Sequence, residues 1–158
     1  MVKIRDLRPS DFEQIQKLAK LFPWFTIPSK YMIWMLATTQ KPYCKVLTVE
    51  KKIFAYILTI NTSNKDELFL WQLGVEKIQN SSDLKLLTNL CDSFYNECMK
   101  SGISGVRFTV PQNGPEKLIF KITNSLKNKN LQIVQKDSKI PQTDYPKIER
   151  EFIIKQVG

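Results

Sequence analysis

The chain has 158 residues, a length that fits one domain with its own hydrophobic core. Apolar residues make up 42% and charged residues 25% of it, which is the composition of a globular domain rather than of a disordered chain. The net charge of +9 comes mostly from lysines scattered among asparagines, without the aromatic and basic stripe of a nucleic-acid reader, so we expect no nucleic-acid partner. The absence of histidine excludes histidine-dependent catalytic triads and the common zinc sites.

The cysteines and the hydropathy pattern bear on the compartment. Cys44, Cys91 and Cys98 are odd in number and lack CxxC spacing, which predicts free thiols in a reducing compartment. The longest run without charge, residues 53–64, is shorter than the roughly 18 residues that a transmembrane helix needs. The N-terminus, MVKIRDLRPSD, has neither the apolar core of a signal peptide nor a myristoylation glycine. We therefore expect a cytoplasmic protein without a membrane partner.

The first half of the chain predicts two helices and then a group of strands. A short strand over VKIRDL is followed by a helix over SDFEQIQKLAKLF, which a Ser10–Glu13 capping box opens, and by a second helix over SKYMIWMLATT. Three runs rich in strand formers follow at 43–49, 53–60 and 67–75. They predict an antiparallel meander. The third run is apolar on both faces, which predicts a central strand with helices on both sides.

The second half predicts two more helices and three more strands. A long amphipathic helix over SSDLKLLTNLCDSFYNECMKSG ends at Gly102 as its C-cap. The strand GVRFTV stops at Pro111, a helix over NGPEKLIFKITNSLKN starts at Pro115, and LQIVQ and EREFIIKQV are the last strands. The apolar face of the long helix consists of Leu87, Leu90, Cys91, Phe94 and Cys98. The predicted order is therefore β, α, α, β, β, β, α, β, α, β, β.

This order resembles the architecture of the Gcn5-related N-acetyltransferases (GNAT), and the resemblance extends to residues. IRDLRPSDFEQIQKL resembles their opening, ELFLWQLGV their central strand, and VRFTVPQNGPEKLIFKI the passage from a strand through an asparagine turn into a helix. Within the superfamily, PSKYMIWMLA, LFLWQLGV and EREFIIK are similar to segments of the diaminobutyrate acetyltransferases of ectoine biosynthesis. The resemblance implies a single α/β (α+β) domain over residues 1–158, with a mixed, mostly antiparallel central sheet flanked by helices on both faces.

The resemblance also implies a reaction. It is the transfer of an acetyl group from acetyl-CoA, as co-substrate, to a small primary amine or amino acid. Direct attack of a neutral amine on the thioester needs positioning, an oxyanion donor and a base. Backbone N–H groups around Leu73, Gly74 and Val75 would bind the thioester oxygen, with Gly74 allowing a close approach or a bulge. The resemblance and an exposed edge strand also favour a homodimer.

The turn after the central strand departs from the superfamily pattern. There the coenzyme A pyrophosphate binds a segment of the form Arg/Gln-x-x-Gly-x-Gly/Ala, whereas the matching EKIQNSSDLKLL has neither arginine nor glycine, and Asp83 lies near the helix start. Ser81 and Ser82 are candidate cofactor-binding residues through their hydroxyls, or one of them is simply the N-cap. Asn113 matches the turn asparagine. A non-catalytic GNAT-fold protein that binds a ligand or protein partner therefore stays open as the alternative, and a nucleic-acid-binding module has only the net charge in its favour.

The remaining candidates lie on the acceptor side. Glu149 and Glu151 share one face of the last strand by alternation and are the candidate catalytic carboxylates, with Glu151 favoured by the resemblance as the amine-binding group. Each is otherwise a solvated carboxylate. Trp71 and Tyr31 match aromatic positions at the substrate pocket, where a ring face binds an ammonium, or else they pack in the core. Phe120 stands where many relatives carry a tyrosine acid.

Overall fold

A computed structural model describes residues 1–23, 25–111, 131–136 and 149–156. The helix predicted over NGPEKLIFKITNSLKN, with Asn113 and Phe120, lies outside these residues. The order of the other predicted elements is confirmed. They are β1 (Val2–Asp6), α1 (Phe12–Ala19), α2 (Lys30–Thr39), β2 (Lys45–Val49), β3 (Lys52–Asn61), β4 (Glu67–Val75), α3 (Ser81–Lys100), β5 (Gly105–Pro111), β6 (Leu131–Lys136) and β7 (Glu149–Gln156), with a 3₁₀ turn at Pro9–Asp11.

The strands form one sheet in the order β1-β2-β3-β4-β5-β7-β6. Neighbouring strands are antiparallel except β4 and β5, which are parallel. The helices α1 and α2 pack on one face of the sheet and α3 packs on the other. The predicted meander, and the predicted mixed, mostly antiparallel sheet with helices on both faces, are confirmed.

The face of α3 predicted to be apolar is buried against the sheet. All five of its predicted core residues have at most 5% of their surface exposed, and they join the largest hydrophobic cluster of the described residues. The helix ends as predicted at Gly102, whose φ of +77° suits glycine, and the N–H of Ile103 donates to the carbonyl of Cys98 at 2.9 Å. None of the described helices is long and apolar enough to cross a lipid bilayer.

The start of α1 differs from the prediction. The Ser10–Glu13 capping box is not formed, and the carboxylate of Asp11 instead accepts the backbone N–H of Arg8 at 2.8 Å. The guanidinium of Arg5 donates two further hydrogen bonds to Asp11, each of 2.8 Å. Asp11 is nearly buried, so this bidentate pair fixes its carboxylate at the helix entrance. Because Arg5 on β1 holds Asp11 in place, Asp11 rather than Glu13 caps the turn before α1.

Candidate active site

Strands β4 and β5 separate in the middle of the sheet. Their parallel pairing covers only three residue pairs and ends at Phe69 and Arg107. Beyond that point the described residues pair β4 only with β3, as far as Val75, and β5 only with β7, as far as Pro111. The separation leaves a V-shaped gap, and the edge of β4 at 70–75 forms one of its walls.

A β-bulge shapes this wall. The register between β3 and β4 passes from Leu58–Gln72 to Thr59–Leu70, so that Trp71 is the extra residue. The bulge was expected at Gly74, and the structure places it at Trp71. A bulge turns two successive side chains toward the same side of the sheet, and here Trp71 packs against the core under α1 and α2.

Hydrogen bonds connect the bulge to the segment after α1. The side-chain amide of Gln72 donates to the backbone carbonyl of Thr26 at 2.6 Å, and the hydroxyl of Tyr56 donates to Oε1 of Gln72 at 3.0 Å. Burial raises the pKa of Tyr56 well above its usual value, so the hydroxyl keeps its proton and remains the donor. The segment between α1 and α2 is therefore held on the central strand.

Gly74 lies beneath the ring of Tyr56. A Cβ atom at this position would stand 2.2 Å from Cε1 and 2.4 Å from Cζ of that ring. Contacts this short are prohibitive, so the packing of Tyr56 requires glycine here. The group that approaches Gly74 closely is thus this aromatic ring, whereas the approach expected there was that of a thioester.

The direction of the β4 amides follows from the antiparallel ladder. The N–H of Glu76 donates to the carbonyl of Phe54 on β3 at 2.8 Å. Because hydrogen-bonded and non-hydrogen-bonded pairs alternate in such a ladder, the amide of Gly74 also points toward β3. The amides of Leu73 and Val75 point the other way, into the gap. Leu73, Gly74 and Val75 were predicted to offer backbone N–H groups to a thioester, and the N–H groups of Leu73 and Val75 point into the gap as this requires.

The helix α3 caps its own N-terminus. Oδ1 of Asn80 accepts the N–H of Asp83 at 2.9 Å, and Oδ2 of Asp83 accepts the N–H of Gln79 at 2.9 Å. The N-cap is therefore Asn80, and the expectation that Ser81 or Ser82 fills this position was wrong. Asn80 keeps an extended backbone, whereas the two serines are the exposed first residues of the helix. Within the described part of the chain, no acceptor bonds the N–H groups of the two serines.

A cavity of about 650 Å³ lies between the end of α1 and the turn from β4 to α3. One side comes from Leu21 and Phe22, and the other continues the gap edge of β4. The side chain of Glu76 at its rim pairs with Lys52 at 3.3 Å. The further lining residues are Val75, Lys77, Ile78, Gln79, Asn80, Ser81 and Leu84. An elongated cavity reached from an unpaired strand edge suits a flexible chain that carries amide groups.

A buried ion-pair network lies where β4 and β5 separate. The guanidinium of Arg107 places Nε 2.8 Å from Oε1 of Glu67 and Nη1 2.9 Å from Oε1 of Glu151. Glu67 is 8% and Glu151 6% exposed, so Glu151 is not the solvated strand carboxylate of the alternative prediction. Sequence reasoning missed Arg107 and Glu67. The signal for them was a lone charge inside the apolar run GVRFTV, because a guanidinium partly withdrawn from water, as that of Arg107 is, needs carboxylate partners.

Two of the predicted acceptor-side residues share a face of the sheet. Phe152 and Ile154 belong to the core under α3, so Glu151 alternates to the face that α1 and α2 cover. Trp71 lies on that same face. Trp71 on β4 and Glu151 on β7 thus lie on one face of the sheet, with β5 between their strands.

The other two acceptor-side candidates are placed differently. Tyr31 lies on the outer side of α2 with 67% of its surface exposed, and its ring centre is 5.7 Å from that of Trp34. It is therefore not a core residue. Glu149 pairs with Pro111 at the start of β7, and only its backbone position is described.

The three cysteines are free, buried thiols. Burial raises the pKa of both Cys91 and Cys98 to about 12, and it also raises the pKa of Cys44. Thiols that stay protonated at neutral pH are poor nucleophiles. We therefore assign these cysteines to the core rather than to chemistry.

No protein-family model and no curated protein matches the chain. Solved structures do match it over nearly their full lengths. The diaminobutyrate acetyltransferase EctA from Paenibacillus lautus, in complex with L-2,4-diaminobutyric acid and coenzyme A, is 18% identical with a TM-score of 0.71, covering 98% of this chain and 95% of its own. Ard1 from Thermoplasma volcanium is 17% identical with a TM-score of 0.73, at coverages of 98% and 96%.

The ribosomal-protein-S18-alanine N-acetyltransferase from Escherichia coli is 19% identical with a TM-score of 0.65, covering 99% of this chain and 93% of its own. Among the other matches are acetyltransferases described as members of the GNAT family. At these identities the likeness concerns the fold. The resemblance read from the sequence is confirmed at that level, and the chain has the GNAT fold.

Proposed function

We propose that the protein is an acyl-CoA-dependent N-acyltransferase whose acceptor is a small primary amine or amino acid. The observation that carries the proposal is the end of β4–β5 pairing at Phe69 and Arg107, which leaves the edge of β4 open beside a cavity of about 650 Å³. An open strand edge offers alternating N–H and C=O groups, and the pantetheine arm of coenzyme A has amides that bond to such groups as an added strand. The EctA structure that shares this fold contains coenzyme A.

The amides of Leu73 and Val75 would stabilise the reaction through the thioester oxygen. As the amine attacks the carbonyl carbon, the C–N bond forms and negative charge develops on that oxygen, where preorganised backbone N–H groups contribute most. Collapse of the intermediate breaks the C–S bond, and the proton that the attacking nitrogen loses neutralises the leaving thiolate, so that amide and the thiol of coenzyme A are the products. Beyond the thioester, the cavity takes the rest of the arm, and the two free N–H groups at Ser81 and Ser82 receive the phosphate next to it.

The acceptor would enter on the face that carries Trp71 and Glu151. A carboxylate held in place by Arg107 at 2.9 Å is pre-positioned to bind an ammonium and to receive its proton before attack. The ring of Trp71, on β4 and on the same face of the sheet, adds a surface that attracts a cation. Tyr31, exposed on α2, would contact the outer part of a larger acceptor. Glu149 and Asn113 stay in the proposal as a second carboxylate and as a coenzyme contact.

Two measurements test the proposal. Calorimetry with acetyl-CoA should give a dissociation constant between micromolar and low millimolar, and a thiol-release assay over a panel of amines that includes 2,4-diaminobutyrate should identify an acceptor. The panel should contain amino acids, diamines and N-terminal peptides, because the matched structures act on different amines. Absence of acetyl-CoA binding at millimolar concentration contradicts the proposal.

One observation favours the alternative, a non-catalytic protein with this fold. The N-terminus of α3 is capped by Asn80 and Asp83, so the groups that bind pyrophosphate in the superfamily are partly engaged within the protein. The alternative predicts coenzyme A binding without turnover of any amine, or no binding at all. The calorimetric and thiol-release experiments together distinguish these cases.

A further inference from the structure

The two halves of the donor cleft differ in what they offer a ligand. Among the residues that the structure describes, no neighbouring strand bonds the amides of Leu73 and Val75 at the edge of β4. In the turn that follows, the N–H groups of Gln79 and Asp83 donate to side chains of the turn itself. A ligand that reaches from the edge into the turn therefore meets open donors on the strand, and in the turn it meets two engaged N–H groups, at Gln79 and Asp83, beside the two open ones at Ser81 and Ser82.

The charges of the turn also disfavour a second phosphate. Residues 76–83 contain two acids, Glu76 and Asp83, against one lysine, Lys77. The carboxylate of Asp83 lies at the positive end of the α3 dipole, the position that a diphosphate occupies when a helix N-terminus binds one. The turn also contains no glycine to let its backbone close around two phosphates. Lys52 pairs with Glu76, so the negative charge left over in the turn is that of Asp83. The described part of the cleft thus offers donors to the pantetheine arm and to the phosphate next to it, and offers a second phosphate only a carboxylate.

We infer that the protein recognises its donor by the acyl-phosphopantetheine arm, and that the nucleotide half of coenzyme A contributes little to binding. The inference rests on the proposed function and names the donor class for that site. A thioester of 4′-phosphopantetheine is then a sufficient substrate, whether the arm belongs to coenzyme A or to a carrier protein. The cleft thus selects the part of the donor that reacts.

A series of donors tests the inference. The kcat/KM of acetyl-4′-phosphopantetheine should lie within about tenfold of that of acetyl-CoA, because each lost hydrogen bond to a phosphate would cost about tenfold or more. Calorimetry with adenosine 3′,5′-bisphosphate should detect no binding at millimolar concentration. A reduction in kcat/KM of more than about 100-fold on removing the nucleotide, or tight binding of the bisphosphate alone, overturns the inference.

The variant Asp83→Asn provides a second test at the turn. Asparagine keeps an oxygen that accepts the N–H of Gln79 and removes only the charge. Coenzyme A should then bind about two- to fivefold more tightly at low salt, and 4′-phosphopantetheine should gain less, because it carries fewer phosphates. Weaker binding of coenzyme A to a normally folded Asp83→Asn variant contradicts the inference, since the aspartate would then contribute to the nucleotide site.

The binding series separates this inference from the proposed function. If coenzyme A binds and 4′-phosphopantetheine does not, the function stands and the inference fails. If neither binds, both fail. An acetylated acyl carrier protein distinguishes the two sources of the arm. If its kcat/KM is more than about tenfold above that of acetyl-4′-phosphopantetheine, the donor is the carrier protein. If its kcat/KM stays below that limit, the donor is coenzyme A.

Discussion

The edge of β4 and the turn that follows it are adjacent in sequence but are specified in different ways. The edge is defined by distant partners, namely Tyr56 over Gly74 and the end of pairing with β5. The turn is closed by neighbours within four residues, Gln79, Asn80 and Asp83. Long-range packing thus sets the geometry of the strand edge, whereas local side chains set the geometry of the turn.

The difference shows which features of a cleft are tied to the fold. Closing the gap would require new pairing along β4 and displacement of buried side chains, which would cost several contacts at once. Changing the turn requires only exposed polar residues, whose substitution usually alters stability little. We therefore assign the proposed reaction to the strand edge. We assign selectivity among acyl donors to the turn.

The largest expected effect tests the chemistry assigned to the edge. Glu151→Gln should lower kcat by about 10²- to 10⁴-fold if this carboxylate binds the amine or receives its proton. Glu67→Gln is the matched control, because it removes the same charge from the same arginine, at 2.8 Å, on the paired part of β4. It should match the stability loss of Glu151→Gln and keep kcat within about tenfold. Equal rate losses in the two variants would make Glu151 a structural residue only.

The next effect tests the packing behind the edge. Gly74→Ala should lower the free energy of unfolding by about 1–3 kcal/mol, because its Cβ would overlap the ring of Tyr56. At Gly105, by contrast, the nearest atom to a Cβ would be Cδ1 of Ile153, at 3.1 Å. A flexible side-chain end can move aside, so Gly105→Ala should cost less. Urea denaturation measures both, and similar values for the two glycines would contradict the packing described for Tyr56.

A smaller effect concerns the free N–H groups of the turn. Ser81→Pro removes one of them at the first position of a helix, where proline is well tolerated, and should weaken coenzyme A binding by about tenfold. Ser81→Ala keeps the N–H and removes only the hydroxyl, so it should reduce the affinity for coenzyme A by less. Calorimetry on both variants separates the backbone from the side chain. Equal affinities in the two variants would leave the N–H of Ser81 without a role in phosphate binding.

The smallest effect concerns the body of α3 behind the turn. In the folded protein at pH 8, a thiol reagent should label none of the three cysteines within minutes, and in denaturant it should label all three.

The pKa of Cys91 and Cys98 is about 12 when folded against an ordinary 9.0, so the folded state holds their protons more tightly. Their contribution to stability is thus complete below pH 9 and is lost as the pH rises toward 12. Cys91→Ala/Cys98→Ala should flatten that decline, and rapid labelling of Cys91 or Cys98 in the native protein would show that α3 opens.

The sequence predicted the elements whose signals are local and periodic. The apolar face of α3 repeats at helical spacing and Gly102 ends it, so both were found. The N-cap was misplaced by one residue because Asn80, Ser81 and Ser82 are all good capping residues, and the extended backbone at Asn80 decides among them. The bulge at Trp71 and the pairing of Arg107 with Glu67 and Glu151 join distant strands, which no periodicity within one segment encodes.

The bulge at Trp71 also fixes the register of β4. Sliding the strand by one residue would turn Trp71 out of the core and break the hydrogen bonds from Tyr56 to Gln72 and from Gln72 to Thr26. The register therefore fixes which residues of β4 lie along the gap, whatever ligand binds there. In the proposed reaction, the thioester donor at Leu73 would thus lie at a fixed position along β4, two residues beyond the bulge.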